Sequence, residues 1–392
     1  MDPVRNPFVP GAGSPPPALA GRADILEQAR ITLARVAQSR SAKSLMLVGL
    51  RGVGKTVLLN RVHEMAEAEG YQALMIETPE TKRLASLLVP PLRSLLFRLD
   101  RLENISEQVK RAMRVLKSFA GAVSLKYGEV EIGLDIDPER GTADSGDIES
   151  DLAELFVAVA EAAKSRGTAV AIIIDELQYL TEDELSAIIM ALHRVSQRQL
   201  PLVLIGAGLP QLVGLAGRSK SYAERLFDYP VVGALSRLDA ILALAEPMRR
   251  EDAEFEADAL EEIIRLTQGY PYFLQEWGYH AWNLSADRLI TEEDIHRATR
   301  AAIANLDQSF FRVRLDRLTP REKAYLRAMA ELGPGPHRSG DIAEKMGSAV
   351  ASVAPLRGGL IKKGMIYSPT HGDTAFTVPL FDQFMRRTMP GV

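Results

Sequence analysis

The 392-residue chain contains no cysteine. That excludes disulfide bonds, thiolate metal sites and a cysteine nucleophile, and it suits a reducing compartment such as the cytoplasm. Six histidines are scattered along the chain with no pair at ligand spacing, so no zinc site is expected. Long apolar runs are missing as well. The longest, such as residues 169–174, are strand length, far short of the roughly 20 residues that span a bilayer, so no membrane association is expected. Residues 1–20 carry an arginine followed by prolines and glycines, unlike a secretory leader. Neither charge sign dominates: 47 basic against 51 acidic residues leave −4, which excludes a basic nucleic-acid coat. Length alone suggests two or three domains.

Pro7, Pro10, Pro15, Pro16 and Pro17, with Gly11 and Gly13, exclude a helix or ladder strand from residues 1–20 and leave a flexible, extended arm. Residues 21–235 alternate apolar strand runs (Ser44–Val48, Tyr71–Glu77, Thr168–Ile174, Leu202–Ile205) with helical periodicity. This predicts an α/β fold whose parallel sheet is covered on both faces. An insertion spans about 81–150. It holds one or two helices over Lys82–Phe119 and an alternating stretch, Val123–Ile136, that predicts a hairpin covering a sheet edge or docking a partner. Residues 236–315 read as helices alone, a lid-like bundle with Tyr270, Phe273, Trp277 and Trp282 in its core. Residues 316–392 read as three helices followed by two short strands around a turn at His371, the order of a winged helix. That segment holds eleven Lys/Arg and seven Asp/Glu, a net +4, so the remainder carries −8.

Residues 49–56, GLRGVGKT, fit G-x4-G-K-[ST] between a strand and a helix. Glycines let backbone N–H groups curl around phosphate oxygens, and the helix N-terminus adds partial positive charge. Gly49, Gly52, Val53, Gly54, Lys55, Thr56 and Val57 are the candidate nucleotide-binding set. Lys55 would reach the β- and γ-phosphates, and Thr56 would offer a hydroxyl to Mg²⁺. The buried run 169–174 ends in Asp175-Glu176. Asp175 would hold the Mg²⁺ shell, and Glu176 would orient and polarise an attacking water. Together the two motifs argue for ATP binding and hydrolysis.

At these residues the chain resembles AAA+ ATPases. Within them it is similar to the branch shared by replication-initiator-like ATPases and STAND signalling ATPases. The resemblance implies a P-loop ATPase domain, a helical lid and a C-terminal winged helix over residues 19–390. Leu19-Ala20-Gly21-Arg22 matches a box in which Gly21 and Arg22 approach the base and ribose. Gly269-Tyr270-Pro271 matches a motif whose proline, Pro271, packs near the adenine; an ordinary helix end also accounts for it. Tyr272 stands where the branch has a sensor arginine, and Gly206-Ala207-Gly208 where many members have a polar sensor, which implies slow hydrolysis. Arg225, with Arg218 in reserve, occupies the place of an arginine finger offered to a neighbouring copy, implying a homo-oligomer.

The expected function is thus an ATP-driven, Mg²⁺-dependent switch alternating between ATP- and ADP-bound states. The alternative is an ATP-gated DNA-binding regulator resembling replication initiators. In that reading Arg357, Lys362, Lys363, Arg386 and Arg387 of the winged helix contact duplex DNA, whereas a partner protein would dock there in the first.

Overall fold

The computed structural model describes residues 1–11, 13–100, 106–127, 136–370 and 372–389. Its centre is a parallel sheet of β1 (Ser44–Val48), β2 (Gln72–Glu77), β3 (Val170–Asp175), β4 (Leu202–Gly208) and β5 (Phe227–Asp228), in the spatial order β2-β3-β4-β1-β5. Helices α1 (Ala23–Ala37), α2 (Lys55–Ala68), α3 (Leu84–Asp100), α4 (Glu107–Tyr127), α5 (Ile148–Ser165), α6 (Glu182–Gln197), α7 (Gln211–Ser219) and α8 (Ala223–Leu226) surround it. Successive side chains of a strand point to opposite faces. Leu45, Leu47, Ala171, Ile173, Val203 and Ile205 therefore pack on one core with α1 and α2, while Met46, Ile172, Ile174, Leu202 and Leu204 pack on a second with α3 to α6. The α/β expectation holds: this is a P-loop NTPase sheet.

The predicted hairpin over Val123–Ile136 does not form in its first part, because α4 continues to Tyr127; residues 128–135 lie outside the described set. The reason is a competing period. Val109, Ala112, Met113, Leu116, Phe119, Ala120 and Val123 recur at spacings of one, three and four and are all buried, so helical packing overrides the local alternation.

Beyond the sheet, α9 (Arg237–Arg250), α10 (Ala257–Thr267), α11 (Pro271–Leu284) and α12 (Glu292–Leu306) form a helical bundle. Two short strands that the sequence did not suggest, β6 (Glu254–Phe255) and β7 (Leu289–Ile290), pair in parallel within it. A π-helical turn, Asp307–Phe311, leads into α13 (Arg312–Asp316), α14 (Pro320–Glu331), β8 (His337–Arg338), α15 (Ser339–Lys345), α16 (Val350–Lys362), β9 (Ile366–Tyr367), β10 (Asp373–Phe376) and α17 (Phe381–Thr388). Strands β8, β10 and β9 form an antiparallel sheet. The bundle and this module share one apolar core with the α1/α2 face of the main sheet. It passes through Phe273 and Trp277 to Phe311, Phe381 and Phe384.

The arm of residues 1–20, expected to be flexible, is instead packed along α11. Phe8 is 1% exposed, and its ring occupies the slot left by Gly278, whose missing Cβ would lie 2.6 Å from it. Trp282 Nε1 donates to the Asp2 carbonyl (2.8 Å), Asn6 Nδ2 to the carbonyl of Tyr279 (3.0 Å), and the Val9 amide to Gln275 Oε1 (3.2 Å). Proline and glycine excluded regular structure but not docking through side chains. Phe8→Ala is expected to cost about 3 kcal/mol, the usual toll of emptying an aromatic site. Urea unfolding measures it, and a loss below about 1 kcal/mol would mean the arm is not part of the core.

Candidate functional site

The loop between β1 and α2 closes on the C-terminal ends of the parallel strands. Gly49 is forced here: a Cβ would sit 2.1 Å from the Val232 carbonyl oxygen. Its amide donates to the Gly208 carbonyl at the end of β4 (3.2 Å). Gly54 caps α2 with φ +92°, a conformation that glycine adopts without strain. The first turn of α2 therefore faces the loop with free backbone N–H groups.

Lys55 is 7% exposed, and its Nζ donates to the carbonyls of Gly49 (2.9 Å) and Leu50 (2.8 Å). Burial drives its pKa down to about 8, against the opposing pull of the Glu176 and Asp175 carboxylates. Thr56 Oγ1 donates to Asp175 Oδ2 at 2.5 Å. Burial raises the Asp175 pKa, and the Thr56 hydroxyl holds it back. This hydroxyl–carboxylate pair is a hard-oxygen donor set that fits Mg²⁺.

Glu176 follows with φ 57°, an uncommon conformation for a residue other than glycine. The turn projects its carboxylate into the cleft. Gln178 Nε2 donates to Glu176 Oε2, and Gln178 Oε1 accepts from the Leu209 amide (3.0 Å), so Gln178 ties Glu176 to the exit of β4. A larger residue at position 206 is precluded, since a Cβ on Gly206 would meet Leu177 at 2.2 Å. Gln178, which the sequence pattern did not single out, sets a polar amide beside Gly208.

A cleft of about 480 Å³ runs from this loop toward the helical bundle, within the usual range for a small-ligand site. Residues 52–57, Arg22, Glu176 and Pro271 line it; Gly49 and Gly21 do not. Arg22, expected to approach base and ribose, spends its guanidinium on the carbonyls of Gly233 (2.5 Å) and Val53 (3.2 Å). Buried and with its pKa lowered by that burial, it braces the loop from behind. Gly21 packs against Asp239 instead. Pro271 starts α11, as the helix-end reading expected, and stands at the wall of the cleft. Tyr270, Phe273, Trp277 and Trp282 are buried in the bundle core.

Three further sets of residues reach the cleft without any advance signal. The arm contributes Val9, Gly11 and Gly13; a Cβ on Gly13 would lie 3.3 Å from the Thr56 methyl. Tyr272 and Phe310 stack at 4.6 Å and 21° on the bundle side. Arg314 extends from α13, with Arg51 of the loop nearby.

The loop is also fastened from outside. Tyr270 Oη donates to the Arg51 carbonyl (2.6 Å), and the Tyr272 amide to the Gly52 carbonyl (3.2 Å). The Arg51 amide donates to the Thr377 carbonyl beyond β10 (3.3 Å), and the Arg51 guanidinium packs on Gly364 while donating to Tyr179 Oη (2.5 Å).

Arg225 lies elsewhere. It is exposed on α8, beside residues 41–44 at the N-terminal ends of the strands, and Asp228 pairs with Lys43 (3.1 Å) rather than with it. Arg218 is likewise exposed.

Compared with known proteins, residues 18–205 match the family described as AAA ATPase domain. Residues 308–385, beyond that match, fit a family described as a domain of unknown function (DUF8462). Among solved structures, the Walker-type ATPase PABY2304 of Pyrococcus abyssi is similar at 17% identity and a TM-score of 0.56, over 94% of this chain and 96% of that one. This likeness extends the shared fold past residues 18–205 into the bundle and the C-terminal module. The Orc1 protein of Aeropyrum pernix in complex with DNA is 14% identical, with a TM-score of 0.48 over 98% and 96% of the two chains. The RuvB Holliday junction branch migration motor of Thermotoga maritima is 14% identical, with a TM-score of 0.45 over 91% and 92%. No curated protein matches the sequence. Among the described residues no helix is long and apolar enough to cross a membrane.

Proposed function

We propose that this protein is an ATP-operated switch of the cytoplasm. It binds ATP with Mg²⁺ between the ATPase domain and a helical lid of residues 236–315, and hydrolyses it slowly. Lys55 and the amides of residues 52–57 hold the phosphates, Pro271 and the arm bound the base side, and Arg22 stiffens the loop. Thr56 and Asp175 hold the metal, which when bound would offset charge on the β- and γ-phosphates. Glu176 orients and deprotonates the attacking water. Because Arg225 lies at the opposite end of the sheet from Lys55, its finger role is toward the site of a neighbouring copy.

The observation that carries the switch is the fastening of the phosphate loop to two other parts of the chain. Tyr270 and Tyr272 hold it from the lid, and Gly364 and Thr377 from the C-terminal module. Filling the loop with a triphosphate pulls Lys55 off the Gly49 and Leu50 carbonyls, and that rearrangement loads the same backbone that the module grips. A ligand shifts such an equilibrium only by its differential affinity for the two states, and ATP differs from ADP at the point nearest Glu176. Hydrogen exchange tests this. With Mg²⁺ and a non-hydrolysable ATP analogue, peptides covering 364–378 should exchange several-fold faster than with ADP. Equal protection in both states would sink the reading.

The winged-helix order of α14, β8, α15, α16, β9 and β10 suits docking to a protein better than to duplex DNA. Arg357 donates to Thr374 Oγ1 (2.9 Å), Ser368 Oγ (2.8 Å) and the Asp373 carbonyl (3.0 Å). Lys363, Arg386 and Arg387 pair with Glu322 (2.7 Å), Asp382 (2.6 Å) and Asp307 (2.6 Å). Of the five cations that an ATP-gated DNA regulator would use, only Lys362 projects without such an internal tie. Duplex phosphates would have to compete the others away.

A further inference from the structure

Arg314 reaches the nucleotide cleft from α13, inside the region of unknown function and more than 250 residues from the phosphate loop. Its guanidinium lies 3.8 Å over the Phe310 ring and donates to the Phe310 carbonyl, in the π-helical turn that precedes α13. Among the described residues no carboxylate pairs with it. Its charged neighbours are Arg51, from the phosphate loop itself, and Arg317. Burial first, and the Arg51 charge second, lower its pKa to about 10, still high enough to keep it cationic near neutrality.

Two guanidiniums brought together in a partly closed cleft, neither of them ion-paired with its one lining carboxylate among the described residues, Glu176, repel each other and draw an anion in. The local geometry says which end of a nucleotide that anion belongs to. Arg51 donates to Tyr179, three residues past Glu176, and Tyr179 is also within electrostatic reach of Arg314. Arg314 is therefore held by Phe310 and Tyr272 on the bundle side and faces, through Arg51 and Tyr179, the Glu176 end of the cleft. A nucleotide whose phosphates follow the loop amides presents its terminal phosphate at that end.

We propose that Arg314 is the cation that reads the γ-phosphate, taking in this chain the place that Tyr272 leaves without a charge. It contacts the terminal phosphate of a nucleoside triphosphate and has nothing to contact in the diphosphate. Since α13 runs directly into α14, this contact reports the state of the nucleotide to the C-terminal module. The proposal rests on the reading of the cleft as an ATP site.

The test measures, by titration calorimetry with Mg²⁺ and the full chain, the affinities for ADP and for a non-hydrolysable ATP analogue. The variants are Arg314→Gln, which keeps the stem over Phe310, Arg314→Lys, and Lys55→Ala as the control for the site. Arg314→Gln should lower affinity for the triphosphate analogue about tenfold to a hundredfold, the loss of one charge-assisted bond to a phosphate, and leave ADP affinity within about twofold. Arg314→Lys should recover part of the difference, and the melting temperature of the nucleotide-free protein should not fall. Parallel loss of both affinities, or no change in their ratio, overturns the role of Arg314 while the site stands on the Lys55→Ala result. If the unaltered protein binds neither nucleotide, or Lys55→Ala binds both normally, the ATP site and the proposal fall together.

Discussion

Lys55→Ala is expected to weaken ATP binding by a hundredfold or more while the protein stays folded. The ammonium lies inside the loop, pointed at the carbonyls of Gly49 and Leu50. Burial outweighs the pull of the Glu176 and Asp175 carboxylates, which is why its pKa falls to about 8. A phosphate oxygen is a far better partner, because both members of the bond are then charged. Alanine removes that partner and, with it, the only lysine in the 49–56 loop. It also removes a buried cation, so the nucleotide-free protein should melt at or above the temperature of the unaltered one. Calorimetric titration with Mg-ATP, run beside a thermal melt, measures both. Affinity within about threefold of the unaltered protein would show that the loop is not where the nucleotide binds.

The second large effect is expected at Glu176. Glu176→Gln should bind ATP within a few-fold of normal and release phosphate at least a hundredfold more slowly, the usual scale for losing a positioned base. The substitution is nearly isosteric, and the amide can still meet Gln178, so the turn at φ 57° has no reason to change. What it cannot do is accept a proton from water. Steady-state phosphate release and nucleotide affinity, measured on the same sample, separate the two functions. A turnover within twofold of normal would move the chemistry away from this carboxylate, and unmeasurable binding would assign it a place in holding the nucleotide.

The parts of the site that were legible in the sequence are those whose chemistry is contiguous. The loop of residues 49–56 and the strand ending in Asp175-Glu176 each state their purpose within ten residues, and the folded chain joins them through the Thr56–Asp175 bond. The sheet was legible for the same local reason, since the runs of buried β-branched residues could not be read as exposed elements. Val123–Ile136 misled because alternation over a few residues is weaker evidence than a helical stripe continuing from Val109. The docking of the arm depends on an empty place on another element: Phe8 is aromatic in sequence, but nothing in sequence says that Gly278 leaves room for it. Arg51 and Arg314 illustrate the limit most plainly. Nothing in either stretch marks its arginine as a partner of the other, and only the fold brings the two together, with no ion pair to either among the described residues.

The grip of Thr377 on the Arg51 amide has a consequence in time. The phosphate loop is made early, and the residue that completes its surroundings is made more than three hundred residues later. At ribosomal speeds of about 5–20 residues per second, roughly 15 to 65 seconds separate the two. In the proposed function the site is complete only once β3 and the lid have been made, and from then until the C-terminal module exists it can meet cellular ATP unrestrained. The newborn protein would then be charged with nucleotide first and restrained second, so its first conformational cycle would start from the opposite end to every later one.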